Sequence, residues 1–255
     1  MKSPKAIVTL ALLFFLPLAI SAQTFTNIYG GDSYDTGRAI CITEDKNIIV
    51  AGSTSSFMSE GVDMYVAKFD TEGDTVWSIY ISNDDPDFEG FHIEESVAVL
   101  ENEANEIIVF GSYHIVGWSD YHGTVLHRIS ADGELLQSKL YEVMAADDMV
   151  LMDNGGFMIC GTGFTGFALP KAHVMMIGAD FEIEWATQYT GSAEQGCGLR
   201  GICKMSENEY AVAGYTYGIG IVSGLLSTFD TLGNITWASE LYLGIEIDNI
   251  FSSVE

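Results

Sequence analysis

Two short runs of side chains in this 255-residue chain carry the chemistry of ligand recognition. Trp118, Asp120, Tyr121 and His122 crowd one stretch, and Tyr215 and Tyr217 stand two apart in another. A planar indole beside a carboxylate and a phenol offers stacking together with hydrogen bonds, which sugar rings and peptide edges require. Signals for catalysis are weaker. His114, His122 and His127 lie eight and five residues apart, a spacing of solvated or core histidines rather than of zinc ligands. The chain has no HExxH, no CxxC and no serine in a G-x-S-x-G elbow. We therefore expect no catalytic residue, no metal and no cofactor.

Two apparent motifs dissolve on inspection. Gly161-Thr162-Gly163-Phe164-Thr165-Gly166 spells a dinucleotide fingerprint. That fingerprint works by opening a helix whose amides meet a pyrophosphate, and Phe167-Ala168-Leu169-Pro170 signals no helix. Asp70-Thr71-Glu72-Gly73-Asp74 resembles part of a calcium loop but lacks the closing bidentate glutamate. Its related copies have Ser130 at the first position and Asn234 at the last, which turn chemistry accommodates.

The elements that would position these side chains are repeats. NIIVAGST (Asn47–Thr54) returns as EIIVFGS, GFMICGT and EYAVAGYT. The anchor glycines Gly52, Gly111, Gly161 and Gly214 are spaced by 59, 50 and 53 residues. A second column reads Trp77, Gln137, Trp185 and Trp237, spaced by 60, 48 and 52. Periods near fifty are those of propeller blades. Within the first unit GRAICIT alternates as an innermost strand, and Ile48-Ile49-Val50-Ala51 is continuously apolar, as for a strand buried between blades. MYVAKF, a turn at Asp70–Gly73 and TVWSIYI complete four strands. Helical periodicity is absent beyond the first 22 residues, so the fold class is all-β, a β-propeller of four-stranded blades. The loops after the anchor glycines vary, and they would place Phe57, His114, Trp118, Tyr121, His122, Phe164, Phe167, Tyr215 and Tyr217 on one face.

Residues 1–22 read as a secretory signal, with Lys2 and Lys5 ahead of an apolar stretch and a small-residue site at Ile20-Ser21-Ala22. No cysteine follows that site, so a lipoprotein is not expected, and the mature chain of about 233 residues has no membrane span. Its removal takes two lysines and no acid, leaving 8 basic against 36 acidic residues and a formal charge of −28. Such a surface repels phosphate backbones and excludes nucleic-acid binding. Hydrophobic residues make up 48% of the chain, which argues against disorder. Among four cysteines only Cys197 and Cys203 are close in sequence, the one candidate disulfide.

The repeat domain, 23–255, divides into units at 31–81, 94–141, 142–189 and 190–243, with a partial fifth at 244–255. Phe25-Thr26-Asn27-Ile28-Tyr29 matches Trp185-Ala186-Thr187-Gln188-Tyr189, an outermost strand without a blade of its own. Ile247–Val254 resembles the first strand of a fifth unit whose middle strands do not follow. A fragment of a longer propeller is expected, in preference to irregular closure of four units.

The unit resembles secreted bacterial propeller repeats, the SBBP-type and related repeats of exported Bacteroidetes proteins. Tyr29, Gly30, Gly31, Asp35, Val50, Ala51, Gly52, Thr54, Asp63, Lys68, Asp70, Gly73 and Trp77 carry the resemblance in the first unit. It weakens where Gln137 replaces tryptophan in the second and Phe181 replaces the turn glycine in the third. The resemblance implies an architecture and export, and little about activity, because propellers host many functions. The expected function is an exported, non-catalytic binding or interaction module, secreted, at the cell surface or in a periplasm, that meets a glycan or protein at its loop face. The alternative is a carbohydrate-active enzyme or its glycan-recognition module, with carboxylates drawn from Asp120 and from Asp84, Asp85 and Asp87.

Overall fold

A computed structural model describes residues 28–57, 61–82, 91–116, 121–163, 169–189, 196–218 and 221–241. These residues form sixteen strands and no helix. The first sheet holds β1 (Asp35–Ile42), β2 (Ile48–Thr54), β3 (Asp63–Phe69) and β4 (Thr75–Ile81); the second holds β5 (Phe91–Glu101), β6 (Ile107–Val116), β7 (Tyr121–Ile129) and β8 (Leu135–Tyr141). The third comprises β9 (Ala145–Leu151), β10 (Phe157–Gly163), β11 (Lys171–Ile177) and β12 (Ile183–Tyr189). The fourth comprises β13 (Gly196–Ser206), β14 (Glu209–Gly218), β15 (Ile221–Asp230) and β16 (Ile235–Leu241). Every sheet is antiparallel with its strands in sequence order. Three apolar cores join first sheet to second, second to third and third to fourth. Strands β1, β5, β9 and β13 follow one another along the inner side. These are blades of a β-propeller, as the period near fifty predicts. Residues 1–22, read as a signal, and 244–255, read as a partial fifth unit, lie outside the described residues.

Burial follows position in the blade. In β6, Ile107, Ile108, Val109 and Phe110 are all fully buried, and β10 is buried along its whole length. Middle strands there have a neighbouring blade on each face, which accounts for an unbroken apolar run. The first blade departs from the expectation of continuous burial. Ile49 and Ala51 are buried against the second blade, but Ile48 and Val50 are only half-buried on the opposite face. On that face Ile40 and Ile42 are largely exposed, so among the described residues no neighbouring blade covers it.

The anchor glycines answer to a bulge. Each inner strand slips register where it meets its anchor: Gly52 pairs with Gly37 and Ala51 with Ala39, leaving Arg38 over. Val97, Asp147 and Arg200 are left over in the same way on β5, β9 and β13. The bulge presses a backbone carbonyl onto the glycine. A Cβ on Gly52, Gly111, Gly161 or Gly214 would collide with the carbonyl oxygen of Thr36, Glu95, Ala145 or Gly198. Backbone cannot swing aside as a side-chain tip can, so only glycine fits there.

Outer strands fasten each blade to the next one's turn. The Trp77 indole donates from Nε1 to the Ala131 carbonyl at 2.9 Å, and Trp185 does the same to Thr231 at 3.0 Å. Tyrosines at the strand ends add a second tie: Tyr141 Oη donates to Phe181 O at 2.8 Å and Tyr189 Oη to Gly233 O at 2.6 Å. Tyr29 makes the corresponding bond to Gly73 and packs on Phe69 with ring centroids 4.2 Å apart. It thus stands on the first blade as Tyr189 stands on the fourth; Phe25, Thr26 and Asn27 lie outside the described residues. The turns themselves are held internally. Asp70 Oδ1 accepts from the amides of Glu72 and Asp74, Asp230 Oδ1 from Leu232 and Asn234, and Ser130 Oγ from Glu134. Turn chemistry therefore accounts for these aspartates.

The two weak repeats prove to be one substitution seen from both sides. Gly133 and Gly233, at positive φ, lie under the rings of Trp77 and Trp185, where any side chain would strike the indole. The second blade offers Gln137 instead of tryptophan, and the third blade's turn has Phe181 in the glycine position, at φ 65°. The Phe181 ring is buried, stacks on Phe157 at 5.9 Å and lies under the Arg128 guanidinium at 5.7 Å. One aromatic ring seals the joint in each case, contributed from opposite blades.

The candidate disulfide between Cys197 and Cys203 does not form. Both residues lie on β13, where six residues of extended strand separate their Cα atoms by roughly 20 Å. A bridge needs about 7 Å or less. All four cysteines are free thiols.

Two outcomes test this packing. Gly214→Val should lower the melting temperature by more than ordinary core overpacking, which costs about 1–3 kcal/mol; wild-type melting would remove the bulge from its central place. Gln137→Trp alone should destabilise, because its indole meets Phe181, whereas Gln137→Trp with Phe181→Gly should recover most of the loss. Purely additive effects of the two changes in a double-mutant cycle would show that the joint is not shared.

Candidate functional site

The bulge that demands a glycine also re-aims a side chain, as bulges beside binding sites do. Arg38, Val97, Asp147 and Arg200 each stand 14 residues before their anchor glycine. One residue from each of four successive blades is thereby turned into a single cavity of about 450 Å³. Glu95, Ser96, Ser112, Thr162 and Tyr215 complete its polar lining. That volume lies within the range of small-ligand pockets, roughly 300–1,000 Å³.

Its charges are paired across blades. Arg38 Nη2 donates to Glu95 Oε1 at 2.8 Å, joining the first blade to the second. Arg200 Nη1 donates to Asp147 Oδ1, joining the fourth to the third, and Thr162 Oγ1 donates to Asp147 Oδ2 at 3.2 Å. The Arg200 guanidinium lies over the Tyr215 ring at 5.4 Å from its centroid. Behind the pocket, Asp148 Oδ2 accepts from the Ile202 amide at 2.8 Å, a further tie between third and fourth blades. Burial pushes the Asp147 carboxyl above its usual value, opposed by the Arg200 charge and the hydrogen bonds from Arg200 and Thr162. Burial raises Asp148 too. Ser96 is 1% exposed, and its Oγ has no hydrogen-bond partner among the described residues.

Of the residues singled out in the sequence, Tyr215 lines this pocket. Tyr217 stacks beside it with centroids 6.2 Å apart and covers Gly196. His122 pairs across β6–β7 with His114, their rings stacked at 4.1 Å, while His127 is buried elsewhere on β7 and bonds Ser138 at 2.9 Å. The three histidines therefore form no single cluster. Tyr121 opens β7. Phe57 stacks on Tyr65 and Tyr80 of its own blade, a packing role. Trp118, Asp120, Phe164, Phe167, Asp84, Asp85 and Asp87 lie outside the described residues.

Arg38, Glu95, Asp147 and Arg200 escaped the sequence reading. For Arg38, Asp147 and Arg200 a signal existed: counting back 14 residues from each anchor glycine gives Arg, Val, Asp and Arg, a column with three charged residues. Motif spacing within one unit could not reveal it, since the site takes one residue per unit.

No family model matches the chain, and no curated protein matches it. Solved structures do. A protein of unknown function from Dyadobacter fermentans DSM 18053 superposes with a TM-score of 0.61 at 8% identity, over 84% of this chain and 71% of that one. A polysaccharide lyase of a new family, an ulvan lyase solved bound to GlcA(1-4)Rha3S, superposes with a TM-score of 0.53 at 9% identity. That match covers 81% of this chain and 54% of the lyase, so the chain spans about half its length. At such identities the likeness extends to the fold alone.

The raised Asp147 carboxyl yields a prediction with a definite sign. The folded state holds this proton more tightly than the unfolded chain, where the value is near 3.8. Its stabilising contribution is thus present below 3.8 and is lost as pH climbs through the raised value. The melting temperature of Asp147→Asn relative to wild type should therefore rise with pH across that window. A constant difference from pH 3 to 7 would place Asp147 among ordinary surface carboxylates.

Proposed function

We propose that this protein is an exported, non-catalytic binding module whose ligand, a glycan or a protein segment, enters the inner-strand pocket. One observation carries the reading: four blades each commit the same bulge position to one cavity, and three of the four residues are charged. Export rests on the signal pattern of residues 1–22. On the pocket side Tyr215 lines the cavity and Tyr217 stacks beside it, while Trp118 and Asp120 lie outside the described residues. Glycans rank first because hydroxyl and ion-pair lining suits polyols, and because one structural neighbour is a polysaccharide lyase.

A second reading, a carbohydrate-active enzyme, draws on Asp147. A carboxyl raised by burial suits a general acid, and Glu95 supplies a second carboxylate in the same pocket. Against it, each carboxylate is already held by a guanidinium.

A glycan array run beside lyase and hydrolase assays on the bound members separates the two. The expected outcome is binding without turnover, with Tyr215→Ala weakening it by about 2 kcal/mol, as the loss of a buried aromatic anchor does. Turnover abolished by Asp147→Asn would establish the enzyme instead.

A further inference from the structure

The inner-strand pocket is balanced in charge, and that balance restricts its guest. Arg38 faces Glu95 and Arg200 faces Asp147, each guanidinium engaged by a carboxylate from the adjoining blade. The chain around them carries 36 acidic against 10 basic residues. An anionic guest would approach through a repulsive field and find every guanidinium in the pocket already compensated. A cationic guest would find both carboxylates compensated likewise. An uncharged polyol meets neither obstacle. Each ion pair uses few of the guanidinium's five N–H donors and leaves carboxylate lone pairs beside them. Donor and acceptor side by side is the pattern that neighbouring hydroxyls on a sugar ring complement.

We infer that the pocket takes an uncharged sugar unit, held by the Arg38–Glu95 and Arg200–Asp147 pairs acting as twin hydroxyl clamps. This rests on the glycan reading above. It also sets the chain apart from its lyase neighbour, solved with a ligand that carries glucuronate and sulfate.

The test uses the full chain and a panel of neutral oligosaccharides ending in glucose, galactose, mannose, xylose or rhamnose. Each neutral probe is paired with a uronate-bearing or sulfated counterpart of equal length. Neutral members should bind, with affinities unchanged from low to high salt, and their charged counterparts should bind at least about tenfold more weakly. Asp147→Asn leaves Arg200 uncompensated, so it should weaken the neutral probe about tenfold or more and improve the charged one. Glu95→Gln, on a more exposed side chain, should shift preference in the same direction and serves if Asp147→Asn does not fold. A mere loss of packing would weaken both probes alike. Tighter, salt-sensitive binding of the charged members by wild type would overturn the inference and leave the glycan module standing. Binding of no member would remove both.

Discussion

Everything in this fold turns on a carbonyl oxygen pressed against a glycine. Each inner strand carries one residue too many opposite its anchor, and the excess is absorbed by driving the backbone toward Gly52, Gly111, Gly161 or Gly214. The contact has no room for a methyl group, so the glycine is obligatory and the register of the blade is fixed around it. The leftover residue must then point where no neighbour on the second strand competes with it. Architecture and site are consequently two results of one steric event. A strand without the bulge would pair smoothly and send Arg38, Asp147 and Arg200 elsewhere.

Blade-to-blade attachment follows a looser rule. What the joints share is an aromatic ring between an outer strand and the next turn; the second and third joints add a tyrosine hydroxyl on a turn carbonyl, where the first has Ile81. Which partner supplies the ring is negotiable, as Gln137 and Phe181 show. Phe181 accepts a left-handed backbone to do so, a conformation that a bulky side chain adopts only at some cost. Burial against Phe157 offsets that strain.

Much of the architecture was legible because it depends on columns that repeat. The anchor glycines, the Trp77 column and the Asp70-type turns mark strand, joint and hairpin in each unit, and the sheets fall where those marks place them. The continuous burial expected of Ile48–Ala51 came from treating all units alike, whereas among the described residues the first blade is packed on one face. The site was legible only in part. Tyr215 and Tyr217 were visible as aromatic pairs, but Arg38, Glu95, Asp147 and Arg200 are scattered singly over 163 positions from Arg38 to Arg200 counted inclusively. Spacing within one unit holds no trace of them: the constant 14 residues from Arg38, Asp147 and Arg200 to their anchor glycines show only when units are compared, and Glu95 lies outside that column. The Cys197–Cys203 pair failed for a related reason: closeness in sequence means distance in an extended strand.

The side chain left over in the bulge belongs to the pocket rather than to the apolar core: Asp147 meets Thr162 and Arg200 meets Tyr215, both in the pocket lining. Its identity is therefore decoupled from the apolar contacts that hold the blade, as Val97 at the same place as two arginines and an aspartate illustrates. A chain built this way resembles a combination lock with one tumbler per blade: exchanging a single tumbler rewrites the guest without disturbing the case. Diversification of such repeats would proceed by altering one side chain per unit, and closely similar blades could accordingly surround pockets with little in common.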